Sequence, residues 1–390
     1  MSEWRLVRLN FGRSPTHFGQ VGIGLEETTE RLQSDTLFSA LISTYARVFN
    51  QPSETAAGKS KVEALLENFL DTQTPPPFRL GSTFVYRRQG DDFVDYLPKL
   101  AGEPPGYPGD DLSFTKAYKK LAYLPKSVWQ RWYQGDGFTS QDAAELETLE
   151  TKSSANGAAL AQAETFSYSS AFTRYTLPKV AIDRTTRATN FYHTGLTQFA
   201  WEPGRESTDG WGDQNVKHLA GLYFLIMFPE ASPALEAELR QTLAVLGETG
   251  VGGERSSGAG RFTVFAWETL PNDWNDMVTF DSGERHGLIS LFWDEGINCS
   301  WLGEGDRYSI QDRGGWIASP SGRQLRRQMI RMFAEGSVFQ AQPLGQLKDV
   351  TPQILDNRGE FIPHPGLRHS VYRSGVALSL SVKLKERELV

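Results

Sequence analysis

The thirteen residues Gly250–Phe262, GVGGERSSGAGRF, hold five glycines around Arg255, Ser256 and Ser257, and Arg261 closes the run. Glycine reaches positive φ at little steric cost, so such a loop folds tightly and turns backbone N–H groups toward an anion. The chemistry this suggests is phosphate contact. Gly250, Gly252, Gly253, Gly258 and Gly260 would shape the loop, with Arg255, Ser256 and Arg261 beside it. We read it as a cradle for an RNA backbone. It is not a P-loop, because no Gly-Lys-Ser/Thr follows, and its glycines do not fit G-x-G-x-x-G after a first strand. A tight helix-to-strand connector is the plainer reading, but this many glycines with arginine and two serines exceed what a connector requires.

Two residues near the start invite an enzymatic reading. His17 shares the glycine-rich stretch Gly12–Gly24 with Gly19 and could act as a general base on a 2′-hydroxyl. No second base or oxyanion group can be assigned to it, so hydrogen bonding or RNA contact is preferred. Asp35 could hold a metal if it stood in an open loop. The apolar stripe behind it (Leu37, Phe38, Leu41, Ile42, Tyr45, Phe49) makes a helix N-cap, by Asp35 or Ser34, the expected role.

Two further segments carry positive charge. Lys179–His193 has Arg184, Thr185, Thr186 and Arg187 at its centre with Phe191 and Tyr192 nearby, which suits phosphate neutralisation and base stacking on a projecting arm. Arg323, Arg326, Arg327 and Arg331 fall at i, i+3, i+4 and i+8, which predicts one basic face of a helix over Arg323–Phe333. That face would be solvated or would meet RNA or an acidic partner.

The elements that position these groups follow from periodicity. Trp4–Phe11 alternates, with Val7, Leu9 and Phe11 on one face and Leu6, Arg8 and Asn10 on the other, and predicts a strand. Helices are expected from Leu37 to Phe49 and over Val62–Leu70, then a strand over Phe84–Arg88. Leu222–Phe228 is apolar throughout and reads as a strand buried on both sides. Ser232 and Pro233 open a helix carrying Leu235, Leu239, Leu243 and Leu246, closed by Gly247, and Arg261–Trp267 is the next strand. With residues 89–215 set aside as an insertion, the order is β-α-β-β-α-β, the ferredoxin-like order. A linker near Pro271–Gly283 leads to strand candidates His286–Trp293, Gly336–Gln340 and Val376–Val382. The expected class is α+β, with two ferredoxin-like (RRM-like) domains. Residues 1–270 form the first, its insertion (89–215) carrying a β-hairpin thumb, and residues 284–390 form a reduced second.

Composition narrows the function. The 390 residues suffice for two domains, each with its own core. A formal charge of −7 argues against indiscriminate nucleic-acid binding but leaves room for a local basic groove. Gln141–Thr165 holds five carboxylates against one lysine and reads as a solvated helix. The single Cys299 excludes intramolecular disulfides and fits a reducing cytoplasm. Six scattered histidines form no ligand pattern, so neither metal nor cofactor is expected. No apolar run approaches the roughly 20 residues that span a bilayer, and MSEWRLVRLNF lacks a signal-peptide core, so no membrane contact is expected.

Four blocks resemble one family: Asn10–Leu41, the loop GVGGERSSGAGRF, IDRTTRATNFYHTG (Ile182–Gly195) and VYRSGVALSL (Val371–Leu380). The Gly-rich loop before the last strand of a ferredoxin-like domain resembles the RAMP superfamily of CRISPR proteins. The set together is similar to the 5′-tag-capping subunits of type III-A Csm effector complexes. The resemblance implies a non-catalytic protein that holds the crRNA 5′ tag. It would dock the large polymerase-like subunit and a backbone RAMP subunit and place its thumb against the guide–target duplex. It implies RNA contact by the loop glycines with Arg255 and Ser256, by Arg184–Arg187, and by His17 and Gly19. The competing readings are a RAMP-type endoribonuclease that processes repeat RNA through His17, and a backbone subunit that cuts target RNA with Asp35 and a metal.

Overall fold

The computed structural model describes residues 2–19, 24–49, 59–90, 92–109, 114–151, 168–203, 216–317, 325–367 and 369–386. Strand β1 (Glu3–Asn10) is followed by helix α1 (Ser34–Val48) and β2 (Phe84–Gln89). After the insertion come β3 (Ala220–Phe228), α2 (Pro233–Thr249) and β4 (Thr263–Thr269). The sheet runs β4-β1-β3-β2, every neighbour antiparallel. A β-α-β-β-α-β chain gives this order when each helix returns its strand past a neighbour.

Alternation fixes which face each residue serves. Val7 and Leu9 of β1, with Leu222, Phe224, Ile226 and Phe228 of β3, pack against Leu37, Phe38 and Leu41 of α1 and Leu239, Leu243 and Leu246 of α2. Each such side chain contributes about 1.5–3 kcal/mol by leaving water. Leu6, Tyr223 and Leu225 face the other way, toward a second core, so β3 is buried on both sides as its composition requires.

The insertion builds much of that second core. Asp92–Pro98 and Tyr123–Pro125 extend the sheet beyond β2. Helix Lys126–Tyr133 sets Trp129 and Trp132 into its centre, fully buried. Leu378, Leu380 and Val382, from near the C-terminal end, close the same core. Leu347 and Val376 likewise join the first. Both cores therefore draw on the N- and C-terminal parts of the chain. Two buried polar links reinforce the arrangement: Arg8 and Trp274 Nε1 both donate to Asp95 Oδ2 at 2.8 Å, and Arg31 meets Glu335 at 2.8 and 3.0 Å.

The C-terminal part departs from expectation. Its main sheet is three-stranded, Val338–Phe339, Arg285–Leu288 and Ser379–Val382, with several two-stranded ladders around it. Arg323–Phe333 is not a helix: Leu325–Arg326 pairs with Trp316–Ile317, and Ile330–Phe333 pairs with Ile310–Arg313, while Arg323 lies outside the described residues. Ile330 and Met332 alternate with Arg331, a period-two pattern that pairing with Ile310–Arg313 stabilises over the helical one.

Smaller corrections have equally local causes. α2 runs past Gly247 to Thr249 and is closed by Gly250. The acidic stretch begins as a helix, Ser140–Thr151, whose Asp142 is buried against Arg131 at 2.7 and 2.8 Å; residues 152–167 and 204–215 lie outside the described set. Among the described residues no helix is long and apolar enough to cross a membrane.

Candidate nucleic-acid interface

The Gly250–Phe262 loop joins α2 to β4, and its backbone is largely consumed by the protein itself. Val251 N donates to Gly260 O (2.9 Å), Gly253 N to His17 O (2.8 Å) and Gly260 N to Pro15 O (2.7 Å). The N–H groups of Ser257, Gly258 and Ala259 turn back on Glu254 and Arg255. Among the described residues, the N–H groups of Gly252, Glu254, Arg255 and Ser256 have no backbone acceptor. The cradle expected from the glycines narrows to this segment, where Arg255–Ser257 form a single 3-10 turn. Arg255 and Ser256 are exposed; Arg261, also exposed, is engaged by Glu248 at 2.7 Å.

His17 lies buried under the loop. Its ring Nδ1 is 2.7 Å from Gly195 O, so Nδ1 carries the proton and donates to that carbonyl. An ideal Cβ on Gly253 would stand 2.5 Å from its Cδ2, so this position admits only glycine without a shift. His17 thereby joins its own segment, the loop and Gly195. Gly19 sits exposed two residues on.

Gly195 belongs to a hairpin arm. Phe172–Ile182 and Thr189–Phe199 pair along their full length, from Phe172↔Phe199 to Ile182↔Thr189. At the tip, Asp183 accepts from Thr185 N and Thr186 Oγ1, both at 2.8 Å, and Arg187 takes the left-handed backbone at φ 59°. Arg184 and Arg187 are exposed, as are Val180, Ile182 and Phe191, the last two at 64% and 61%. A hairpin with both cationic and apolar groups in water is built to be covered. Partway along it, Lys179 pairs with Glu254 and lies 3.3 Å from Ser257, fastening the arm to the Gly-rich loop.

The structure thus brings together His17, Gly252, Gly253, Glu254 and Lys179, with Arg255 and Ser256 on the same loop. The arginines at 326, 327 and 331 lie on the separate C-terminal hairpin. Sequence reading missed Gly195, Glu254 and Asp183. Only Asp183 had a local signal, an Asx turn toward Thr185 and Thr186.

Asp35 does not cap α1. The N-cap is Gln33, with no side-chain bond, and Ser34 Oγ instead accepts from Leu291 N at 2.9 Å. Asp35 is fully buried, bound by Arg313 at 2.9 and 3.0 Å and by Arg373. Burial alone would raise its pKa, but the two guanidiniums prevail and hold it far below the usual carboxylate range.

The family described as CRISPR Csm4 C-terminal domain matches residues 281–382. Three curated relatives bear the description CRISPR system Cms protein Csm4. That of Thermococcus onnurineus is 23% identical over 91% of this chain and 92% of its own. That of Mycobacterium tuberculosis is 25% identical over 89% and 91%. The Methanocaldococcus jannaschii protein is 27% identical, but the match spans 40% of this chain and 43% of that relative. Among solved structures, a chain of the Csm3–Csm4 subcomplex of the type III-A CRISPR-Cas interference complex shares the fold. It aligns over 97% of this chain and 99% of its own, at a TM-score of 0.54 and 15% identity. The matched C-terminal domain, these relatives and the shared fold support a Csm4-like RAMP protein. Within that class the chain is Csm4-like, and its kinship supports a subunit of a type III effector complex.

Proposed function

We propose that this Csm4-like chain caps the 5′ repeat tag of a crRNA in a type III-A effector complex and does so without catalysis. It would dock the large polymerase-like subunit and a backbone RAMP subunit, the latter matching the Csm3 partner named for the solved subcomplex. The convergence of loop, opening segment and arm on His17 and the Lys179–Glu254 pair carries the reading. One unit presents, among the described residues, N–H groups with no backbone acceptor together with exposed arginines and exposed apolar side chains. The non-catalytic role is supported by where the two candidate catalysts point. His17 is buried with Nδ1 given to Gly195 O, and both oxygens of Asp35 are held by arginines. We further read residues 284–390 as a degenerate ferredoxin-like unit, which the short three-stranded sheet supports.

The test is a native-gel titration of guide RNA with the cognate tag against one with the tag scrambled, at low and near-physiological salt. A preference of about tenfold or more (1.4 kcal/mol) that survives the higher salt is expected. Equal binding would remove tag capping by this chain alone. Metal-independent cleavage of repeat RNA that vanishes in His17→Ala would instead establish the endoribonuclease.

The arm makes its own prediction. Arg184→Ala with Arg187→Ala should reduce the slope of log K against log salt by about 1.4, at roughly 0.7 per single-strand phosphate contact. An unchanged slope would take the tip out of the interface.

A further inference from the structure

A β-bulge in β4 turns an aromatic ring out to water. Arg8 pairs with Ala266 and Leu9 with Val264, so Phe265 has no partner on β1 and is the extra residue. Val264 and Trp267 keep their places against the first core, while Phe265 is 43% exposed. Core packing does not account for a phenylalanine held there.

The ring does not stand alone. Its centre lies 4.5 Å from that of His218 and 5.9 Å from that of Phe93, and the Arg8 guanidinium is 4.4 Å from the centre of Phe93. His218 in turn pairs with Trp201 in a two-stranded ladder, an opposed pair whose side chains share a face. Trp201 is half-buried and carries the Arg13 guanidinium 4.8 Å from its ring centre. Arg13 is exposed, and among the described residues no carboxylate or other acceptor holds it.

Arg13 also marks where the row begins. Its neighbour Ser14 donates from Oγ to Gly258 O at 2.9 Å, and Pro15 O accepts from Gly260 N at 2.7 Å. The row therefore starts beside the Gly-rich loop and passes Trp201 and His218 to reach Phe265 and Phe93.

An exposed ring and an arginine stacked on an indole match the two halves of a nucleotide, the base face and the phosphate. An apolar protein surface would leave the Arg13 charge without a counterpart, so a nucleic-acid strand fits the row better. We propose that Arg13, Trp201 and Phe265 form a stacking track for unpaired bases of single-stranded RNA, continuing from the Gly-rich loop. The proposal rests on the RNA-binding reading above and extends it to a surface that neither the loop nor the arm supplies.

The test uses the full-length chain and two probes of equal length, an unstructured RNA and its abasic ribose–phosphate counterpart, each titrated over a salt series. Phe265→Ala should bind the base-bearing RNA about tenfold more weakly, with its salt slope and its affinity for the abasic strand unchanged. Arg13→Gln should reduce the salt slope on both probes by about 0.7. Phe361→Ala removes a ring 70% exposed on the separate Phe361–Pro363 strand and should match wild type on both. Because Phe265 faces water, Phe265→Ala should unfold at the wild-type midpoint. Matching affinities for the base-bearing RNA in wild type and Phe265→Ala would overturn the track and leave the RNA-binding reading standing. Equal loss on both probes in Phe265→Ala, or an equal loss in Phe361→Ala, would show a general effect and overturn it too. Intact RNA affinity with weakened pairing to a Csm3-type subunit would assign the row to a protein instead. No RNA binding by wild type would remove both readings together.

Discussion

Replacing Asp35 by asparagine should destabilise the protein by about 3–5 kcal/mol, because it strips the counter-charge from buried arginines. Asp35 is 0% exposed, Arg313 and Arg373 are 3% and 1%, and an asparagine NH2 would face their donors with a donor of its own. The bonds tie α1 to residues 278 and 338 positions away, so their loss should loosen the C-terminal part from the sheet. The midpoint of urea denaturation reads the loss, and an unchanged midpoint would show that the cluster contributes no net stability. Acid should expose the same term in wild type. Asp35 and Glu335 are both held below their ordinary pKa values, chiefly by Arg313 for the first and Arg31 for the second, against burial. The native state therefore binds fewer protons than the unfolded one. Their contribution is complete above about pH 4 and drains away as pH falls through the native values. Asp35→Asn should flatten part of that acid limb.

Gly260→Ala should dismantle the Gly-rich loop, whereas Gly258→Ala should scarcely alter it. Both positions are left-handed, φ 77° and 85°. At Gly260 a Cβ would lie 1.9 Å from Val251 O, across the two N–H bonds that hold the loop to Val251 and Pro15; at Gly258 nothing lies within 4 Å. The second substitution costs about 1–2 kcal/mol of backbone strain. The first adds a clash that only separation of the two segments relieves, so its effect exceeds the roughly 1–3 kcal/mol of a strained residue. Amide exchange in Gly250–Phe262 should accelerate sharply in Gly260→Ala, and RNA affinity should fall by about tenfold or more. Equal protection in the two variants would separate loop order from the 251–260 crossing.

What the chain discloses on reading follows from the range of the forces involved. β1 was legible because Val7 and Leu9 alternate with Leu6 and Arg8, and β3 because every residue from Leu222 to Phe228 is apolar. Burial on a face leaves a local periodic trace. Asp35 left none that distinguishes a cap from a buried ion pair, since its partners are hundreds of positions away. The arginines at 326, 327 and 331 fit a helical stripe as well as a strand, and only Ile310–Arg313, remote in sequence, decides between them. The Gly-rich loop was recognisable by composition. That most of its N–H groups serve Pro15, His17 and its own turns depends on a close approach no spacing encodes.

The sheet order sets a timetable for synthesis. β1 lies between β3 and β4, so no strand can pair with Glu3–Asn10 until residues 220–228 have been made. At about 5–20 residues per second, the 210 residues from Asn10 to Ala220 take roughly 10–40 s. Throughout that interval Leu6, Val7 and Leu9 have no sheet neighbour, and the second core still awaits Leu378, Leu380 and Val382. The nascent chain thus carries an unpaired apolar strand over that whole interval, and slow codons within 89–215 would lengthen its exposure.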